Sequence, residues 1–264
     1  RRVVKTGEFV STKDEVIKFE NKIKNLLKVR YAVALNSGTD ALTLGLFAMG
    51  IKKGDEIITT SNSFIASTAV IIHLGAKPVF VDVKNDQNID ENLIEAKITK
   101  KTKAIMPVHL TGRMCAMDKI SKIAKKYNLG VIEDCAQSIM SKFKNRFSGT
   151  FGNVGCFSTH PLKNLNALGD GGFLITNDKK IYTRVNRLRN HGMLERNKIQ
   201  EFGFVSRMDN LQAAFLNYRV NNLRKIIKKR RENVKMYLKN LNRNYFYFPE
   251  EKKNEFNTYH TFVI

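Results

Sequence analysis

The chain has 264 residues, 42% of them hydrophobic, and carries a formal charge of +22 from 46 Lys plus Arg against 24 Asp plus Glu. That length and apolar fraction can bury a sizeable core. The longest apolar stretches, such as residues 66–74, are far short of the ~20 residues needed to cross a bilayer, and no secretory signal opens the chain, so a cytoplasmic protein is expected.

Taken in chain order, short β-rich runs alternate with helical patterns, as in an α/β domain built on a mostly parallel sheet. Residues 31–35 read as a strand, 39–49 as a helix, 56–59 as a strand, 63–74 as a helix and 77–82 as a strand. Strands at 103–108 and 129–133 flank a helix at 118–127, and strands at 154–157 and 172–176 precede a helix at 179–189. From 209 to 241 apolar residues recur at helical spacing for about nine turns, which suits a link between two domains. Residues 259–264 read as a new strand with nothing after it to pair with, so a further domain is expected beyond this stretch. Cys115, Cys135 and Cys156 lie far apart, with no CxxC pair and no His at ligand spacing. They read as reduced, buried thiols, and no metal is expected.

Three local motifs point to chemistry. Asn36-Ser37-Gly38-Thr39-Asp40 lies between a strand and a helix, where backbone N–H groups at the helix N-terminus stabilise a phosphate dianion. Small polar residues before a helix are also ordinary caps. Ile132-Glu133-Asp134 closes an apolar strand, a place where ligands of open α/β sheets collect. A carboxylate aimed there at a pyridine nitrogen keeps it protonated, and the pyridinium then withdraws electrons from a substrate carbanion. The plainer reading of Asp134 is a loop cap. Ser158-Thr159-His160-Pro161-Leu162-Lys163 follows the next strand and precedes the turn Gly169-Asp170-Gly171-Gly172. A partly desolvated lysine near a phosphate site has its pKa lowered enough to form an imine with an aldehyde.

The excess of positive charge is scattered over loops and helix faces. Its one dense run, residues 224–231, sits in a helical pattern with Ile226 and Ile227 on the other face. No zinc-finger or RNP-type aromatic motif accompanies it, so nucleic acid is disfavoured. A solvated lysine-rich surface is the first reading, and attraction of an anionic small substrate the second.

In this order and spacing the motifs resemble the DegT/DnrJ/EryC1/StrS family of PLP-dependent sugar aminotransferases, which have the fold type I of aspartate aminotransferase. The likeness runs from about Gly7 to the last residue and rests on residues 36–42, 133–137, 157–163 with 169–172, and 206–214. It implies a three-layer α/β/α PLP-transferase large domain with a mostly parallel mixed sheet, plus the start of a smaller C-terminal α/β domain. Residues 1–220 would form the PLP-binding large domain, its first residues packing on the small one, and 221–264 the linking helix and the beginning of the truncated small domain.

The resemblance assigns pyridoxal 5′-phosphate (PLP) as cofactor, the Schiff base to Lys163 and the ring-nitrogen contact to Asp134. It gives the phenolic oxygen to Gln137 and the phosphate to Gly38, Thr39 and Ser158, and counts Asp40 among the cofactor-binding residues. Phe64 matches the aromatic that stacks on the ring, with core packing as its plain alternative. At Val205 many relatives have an Asn that reaches the phosphate across a dimer, a contact that Ser206 or Arg207 would have to replace here. His109, His160 and His191 are further candidates near the site, each equally readable as structural.

The implied function is transfer of an amino group from L-glutamate to a nucleotide-linked keto sugar, in cell-surface polysaccharide biosynthesis, by a cytoplasmic homodimer with shared active sites and no membrane partner. The Gly-Asp-Gly-Gly turn leans toward amination at C3 rather than C4. The alternatives are a PLP-dependent sugar dehydratase of the same fold, which would have His in place of Lys163, and a non-catalytic regulatory protein of the PLP fold.

Overall fold

The structure is a computed structural model that describes residues 2–7 and 14–264. Its strands are β1 (Tyr31–Leu35), β2 (Glu56–Thr60), β3 (Lys77–Val81), β4 (Thr102–Ile105), β5 (Gly130–Asp134), β6 (Lys142–Phe143), β7 (Arg146–Phe147), β8 (Val154–Ser158), β9 (Gly172–Thr176), β10 (Met193–Glu195), β11 (Lys198–Ile199) and β12 (Glu255–Phe256). Its α-helices are α1 (Arg2–Thr6), α2 (Asp14–Leu27), α3 (Gly38–Ala48), α4 (Ala66–His73), α5 (Met117–Lys126), α6 (Lys179–Leu188) and α7 (Asn210–Asn240).

Seven strands form the main sheet in the order β1-β9-β8-β5-β4-β2-β3. The pairs β8·β5, β5·β4, β4·β2 and β2·β3 are parallel, while β9 runs antiparallel to both β1 and β8. This is the mostly parallel mixed sheet expected.

The strands are apolar on both faces, as a sheet covered on both sides requires. The period-2 alternation sends neighbouring residues to different layers. Val33 and Leu35 of β1 and Leu174 of β9 join Ile132 and Val154 in the core under α3, α4 and α6. Ala32 and Ala34 face the other way with Phe173 and Ile175, into the core made with α2 and α7. Farther along that second face, Ile58, Ile105 and Val131 pack on Ile120 and Ile123 of α5. The result is three layers, helices on either side of one sheet.

Helix α2 was not foreseen, although Val16, Phe19, Ile23 and Leu27 recur at helical spacing and are all buried. Among the described residues no helix is long and apolar enough to cross a membrane.

The expected strand at 259–264 does not form. Glu255–Phe256 instead joins a small antiparallel sheet, β12-β6-β7. Past it, Tyr259 takes a left-handed φ of 46°, which breaks any extended run. The carbonyls there are held by side chains rather than by a neighbouring strand: Arg231 donates to that of Asn257, and Arg230 to those of Tyr259 and His260.

Candidate active site

The carboxyl ends of β1, β5 and β8 open at one edge of the sheet, where ligands of α/β folds bind. The start of the antiparallel β9 comes to the same edge, since Gly172 pairs with both Leu35 and Ser158. Only glycine fits at this start, because a Cβ on Gly172 would lie 2.3 Å from the carbonyl carbon of Ser37. Helix α3 is pressed onto the end of β8 in the same way, with a Cβ on Gly38 only 2.7 Å from that of Ser158. Ser37 caps α3 by accepting the Asp40 N–H at 3.0 Å. Gly38 and Thr39 sit in the first turn, whose N–H groups have no intrahelical acceptor.

A pocket of about 420 Å³ lies at this edge, lined by Gly38, Thr39, Phe64, Ser67, Asp134, Gln137, Ser158, His160, Lys163, Asp170 and His260 among others. Seven of the eight anticipated site residues therefore line this one pocket. Asp40 is the exception. It lies one residue farther along α3, off the pocket wall, with its backbone N–H turned to Ser37.

Asp134 is buried, and each of its oxygens has one donor: Ser67 Oγ at 2.8 Å on Oδ2 and the Ala136 N–H at 3.0 Å on Oδ1. Each oxygen keeps further acceptor capacity. Gln137 is oriented by the Thr111 N–H, which donates to its Oε1 at 2.8 Å and leaves the amide NH2 free to donate. Ser158 Oγ accepts the His160 N–H at 3.2 Å, so its own proton is available to an anion.

Lys163 follows a turn closed by its N–H on the His160 carbonyl at 2.8 Å. Its amine is half-buried and makes no hydrogen bond or ion pair among the described residues. Burial pulls its pKa below the usual lysine value, and the negative charge of Asp134 opposes this only in part. Phe64 is 70% exposed, which rules out core packing and leaves its ring at the pocket.

Sequence reasoning missed Ser67 and His260, both on the pocket wall. Of the three histidines it raised, only His160 lies there. His191 is exposed elsewhere. His109 is fully buried, accepting the Cys115 N–H on Nδ1 and donating from Nε2 to Glu133 at 2.9 Å, so both nitrogens are used and it is structural. That also leaves the neighbouring group of His109, Glu133 and Cys135 without a free imidazole nitrogen for a metal.

The three cysteines are buried and unpaired, and burial pushes each thiol well above its usual pKa. Near Val205, Ser206 is buried within its own chain, its hydroxyl toward the Asn36 N–H at 3.4 Å. Arg207 donates to Asn190 at 3.0 Å.

Known proteins resemble the chain over nearly its whole length. A pleiotropic regulatory protein of Geobacillus stearothermophilus is 36% identical over 266 residues, which cover 99% of this chain and 71% of the relative. The dTDP-3-amino-3,6-dideoxy-alpha-D-galactopyranose transaminase of Aneurinibacillus thermoaerophilus is 41% identical over 264 residues, covering all of this chain and 72% of the relative. Among solved structures, DesV of S. venezuelae superposes with a TM-score of 0.95 at 34% identity, over 99% of this chain and 71% of that one. The family match spans residues 1–264, and the chain belongs to the DegT/DnrJ/EryC1/StrS aminotransferase family.

Proposed function

We propose that this protein is a cytoplasmic PLP-dependent aminotransferase that moves an amino group from L-glutamate to a keto sugar carried on a nucleoside diphosphate, at C3 rather than C4. The observation that carries this reading is Lys163, an amine of lowered pKa without a partner among the described residues, in one pocket with Asp134, Gln137 and the N-terminus of α3.

These residues suit the cofactor. In PLP the aldehyde lies para to the ring nitrogen and is flanked by the phenolic oxygen and the phosphate arm. A holder must therefore keep an amine and a carboxylate apart across a gap. Lys163 and Asp134 feel each other's charge without forming an ion pair, which fits that need. When bound, PLP supplies an aldehyde for imine formation and a pyridinium that takes up the electron pair released at the substrate α-carbon.

Asp134, braced by Ser67 and Ala136, would hold the proton on the ring nitrogen by its charge. Gln137 would donate from Nε2 to the phenolic oxygen. The N–H groups of Gly38 and Thr39 and the hydroxyl of Ser158 would receive the phosphate. Phe64 would cover a ring face and exclude water. Lys163 Nζ would hold the cofactor's aldehyde carbon and, as a free amine of lowered pKa, would serve as the base that moves the substrate α-proton.

The C3 preference rests on the turn Gly169-Asp170-Gly171-Gly172, whose Asp170 reaches the pocket, and agrees with the name of the Aneurinibacillus relative. A homodimer belongs to the same reading, because Phe64 and Leu162 stand 70% and 75% exposed at the pocket and would be covered by a second subunit. So does the division into a large domain at 1–220 and a linking helix with the start of a small domain at 221–264.

The name of the Geobacillus relative favours a second reading, a regulator that holds the cofactor without turnover. One experiment separates the two. The protein is converted to its pyridoxamine form with L-glutamate and mixed with nucleotide-linked 3-keto and 4-keto sugars. Return of the visible cofactor absorption with a 3-keto sugar supports the proposal. No return with any sugar contradicts it.

A further inference from the structure

His260 stands on the pocket wall at the end of a tightly fastened segment. Thr258 is tied three ways: its N–H donates to the Gly112 carbonyl at 3.1 Å, its hydroxyl meets Ser141 Oγ at 2.8 Å, and its carbonyl receives Asn164 Nδ2 at 3.1 Å. Asn164 follows Lys163 directly, so the segment is bound to the loop that carries the reactive amine. The backbone lies close against the turn Leu110–Gly112, whose Thr111 N–H holds Gln137, since a Cβ on Gly112 would fall 2.6 Å from the Tyr259 nitrogen and 3.0 Å from that of His260. Tyr259 adopts its left-handed φ of 46° immediately before His260, a conformation that bulky residues avoid unless the surroundings impose it. On the far side Arg230 grips the His260 carbonyl at 2.9 Å. Every fastening acts on the backbone or on neighbouring side chains and leaves the imidazole directed by its position alone.

The ring's chemistry follows from its surroundings. Nδ1 is buried without a hydrogen-bond partner among the described residues. A buried lone pair without a donor costs less than a buried N–H without an acceptor, so the neutral tautomer carries its proton on Nε2. Burial and then the positive charges of Lys163 and Arg230 disfavour the imidazolium, holding the pKa down at about 4. The ring thus offers the pocket one uncharged N–H. A carboxylate or phosphate is better met by a cation, whereas an uncharged N–H matches a hydroxyl or carbonyl oxygen.

We propose that His260 is a specificity-determining residue that donates its Nε2–H to an uncharged oxygen, hydroxyl or carbonyl, of the sugar substrate. This rests on the aminotransferase reading above and extends it to the sugar half-reaction.

The test uses dTDP-, UDP- and GDP-linked 3-amino and 4-amino hexoses, which run that half-reaction in reverse and discharge the cofactor absorption; the one that the wild type turns over fastest is carried forward. His260→Leu removes the donor, His260→Gln restores an N–H near the Nε2 position, and His260→Asn places one near Nδ1. The Leu and Asn variants are expected to lose about 10- to 100-fold in kcat/KM with the amino sugar, and Gln to recover to within about threefold. In all three the L-glutamate half-reaction and the bound cofactor absorption stay at wild-type levels. The proposal is overturned if Leu matches the wild type, if Gln fails to rescue, or if both half-reactions and cofactor loading fall together. A wild type that takes no cofactor at Lys163, or turns over no amino sugar, defeats the functional reading itself and this inference with it.

Discussion

Glu133 and Asp134 are adjacent buried carboxylates at the end of β5, and the alternation of the strand sends them into opposite surroundings. Glu133 faces the interior, where it receives His109 Nε2 at 2.9 Å, the Gly149 N–H at 2.9 Å, and the N–H groups of Phe151 and Gly152, both at 2.7 Å. Its acceptor capacity is filled by a loop that it holds in place. Asp134 faces the pocket and, among the described residues, receives only Ser67 and Ala136, and the amine of Lys163, without a partner among them, lines the same pocket. A saturated carboxylate supports a fold, and one with capacity left over beside a cavity serves a ligand. The two residues are of similar chemistry, and their partners alone separate their roles.

Neutralising each carboxylate in turn tests this contrast. Asp134→Asn keeps shape and removes the charge that holds the ring proton. Transamination should fall roughly a thousandfold or more, about 4 kcal/mol of transition-state stabilisation, while cofactor binding followed by absorbance persists. Near-normal turnover would erase the distinction. Glu133→Gln should do the reverse. It leaves His109 and the 149–152 loop facing an uncharged group that can no longer accept at every site, and stability measured by denaturant unfolding should drop by about 3–5 kcal/mol. The variant that remains folded should turn over within a few-fold of wild type.

The sequence made the Asp134 side of this contrast easier to read than the Glu133 side. Lys163, Asp134, Gly38 and Thr39 lie in runs where a strand gives way to a loop or helix, so local pattern and chemistry coincide there, whereas Gln137, Phe64 and Ser158 stood out only through the family resemblance. Glu133 depends on residues 16 to 24 positions away, and its role appears only when the chain is folded. Ser67 and His260 were missed for the same reason. A serine at the start of a short helix carries no sign of Asp134, and residues 259–264 alternate like a strand until the left-handed turn at Tyr259 is seen. The main-sheet strands and the long α7 were legible from their periodicity, whereas two-residue strands such as β6 and β7 have no period to read. Helix α2 carries such a period as well, in Val16, Phe19, Ile23 and Leu27.

A smaller effect distinguishes the fully buried His109 from the half-buried His260. His109 has an acceptor and a donor for its nitrogens, while His260 has its pKa lowered to about 4 by burial and by Lys163 and Arg230. A folded-state pKa below the unfolded value of ~6.5 means that the unfolded chain binds the proton more readily. His260 therefore favours the folded state fully above pH 6.5, and that contribution fades as pH falls from there toward 4. Replacing it with Leu should make the decline of melting temperature over this window shallower. An unchanged acid limb would show that His260 is not held neutral.

The central claim is that the unpartnered amine at the pocket is the point of attachment of the cofactor. Borohydride reduction of the yellow holoenzyme, followed by digestion and mass spectrometry of the peptides, tests it directly. The pyridoxyl mass should appear on the peptide containing Lys163, and a label on any other of the chain's many lysines, or on none, would contradict the account.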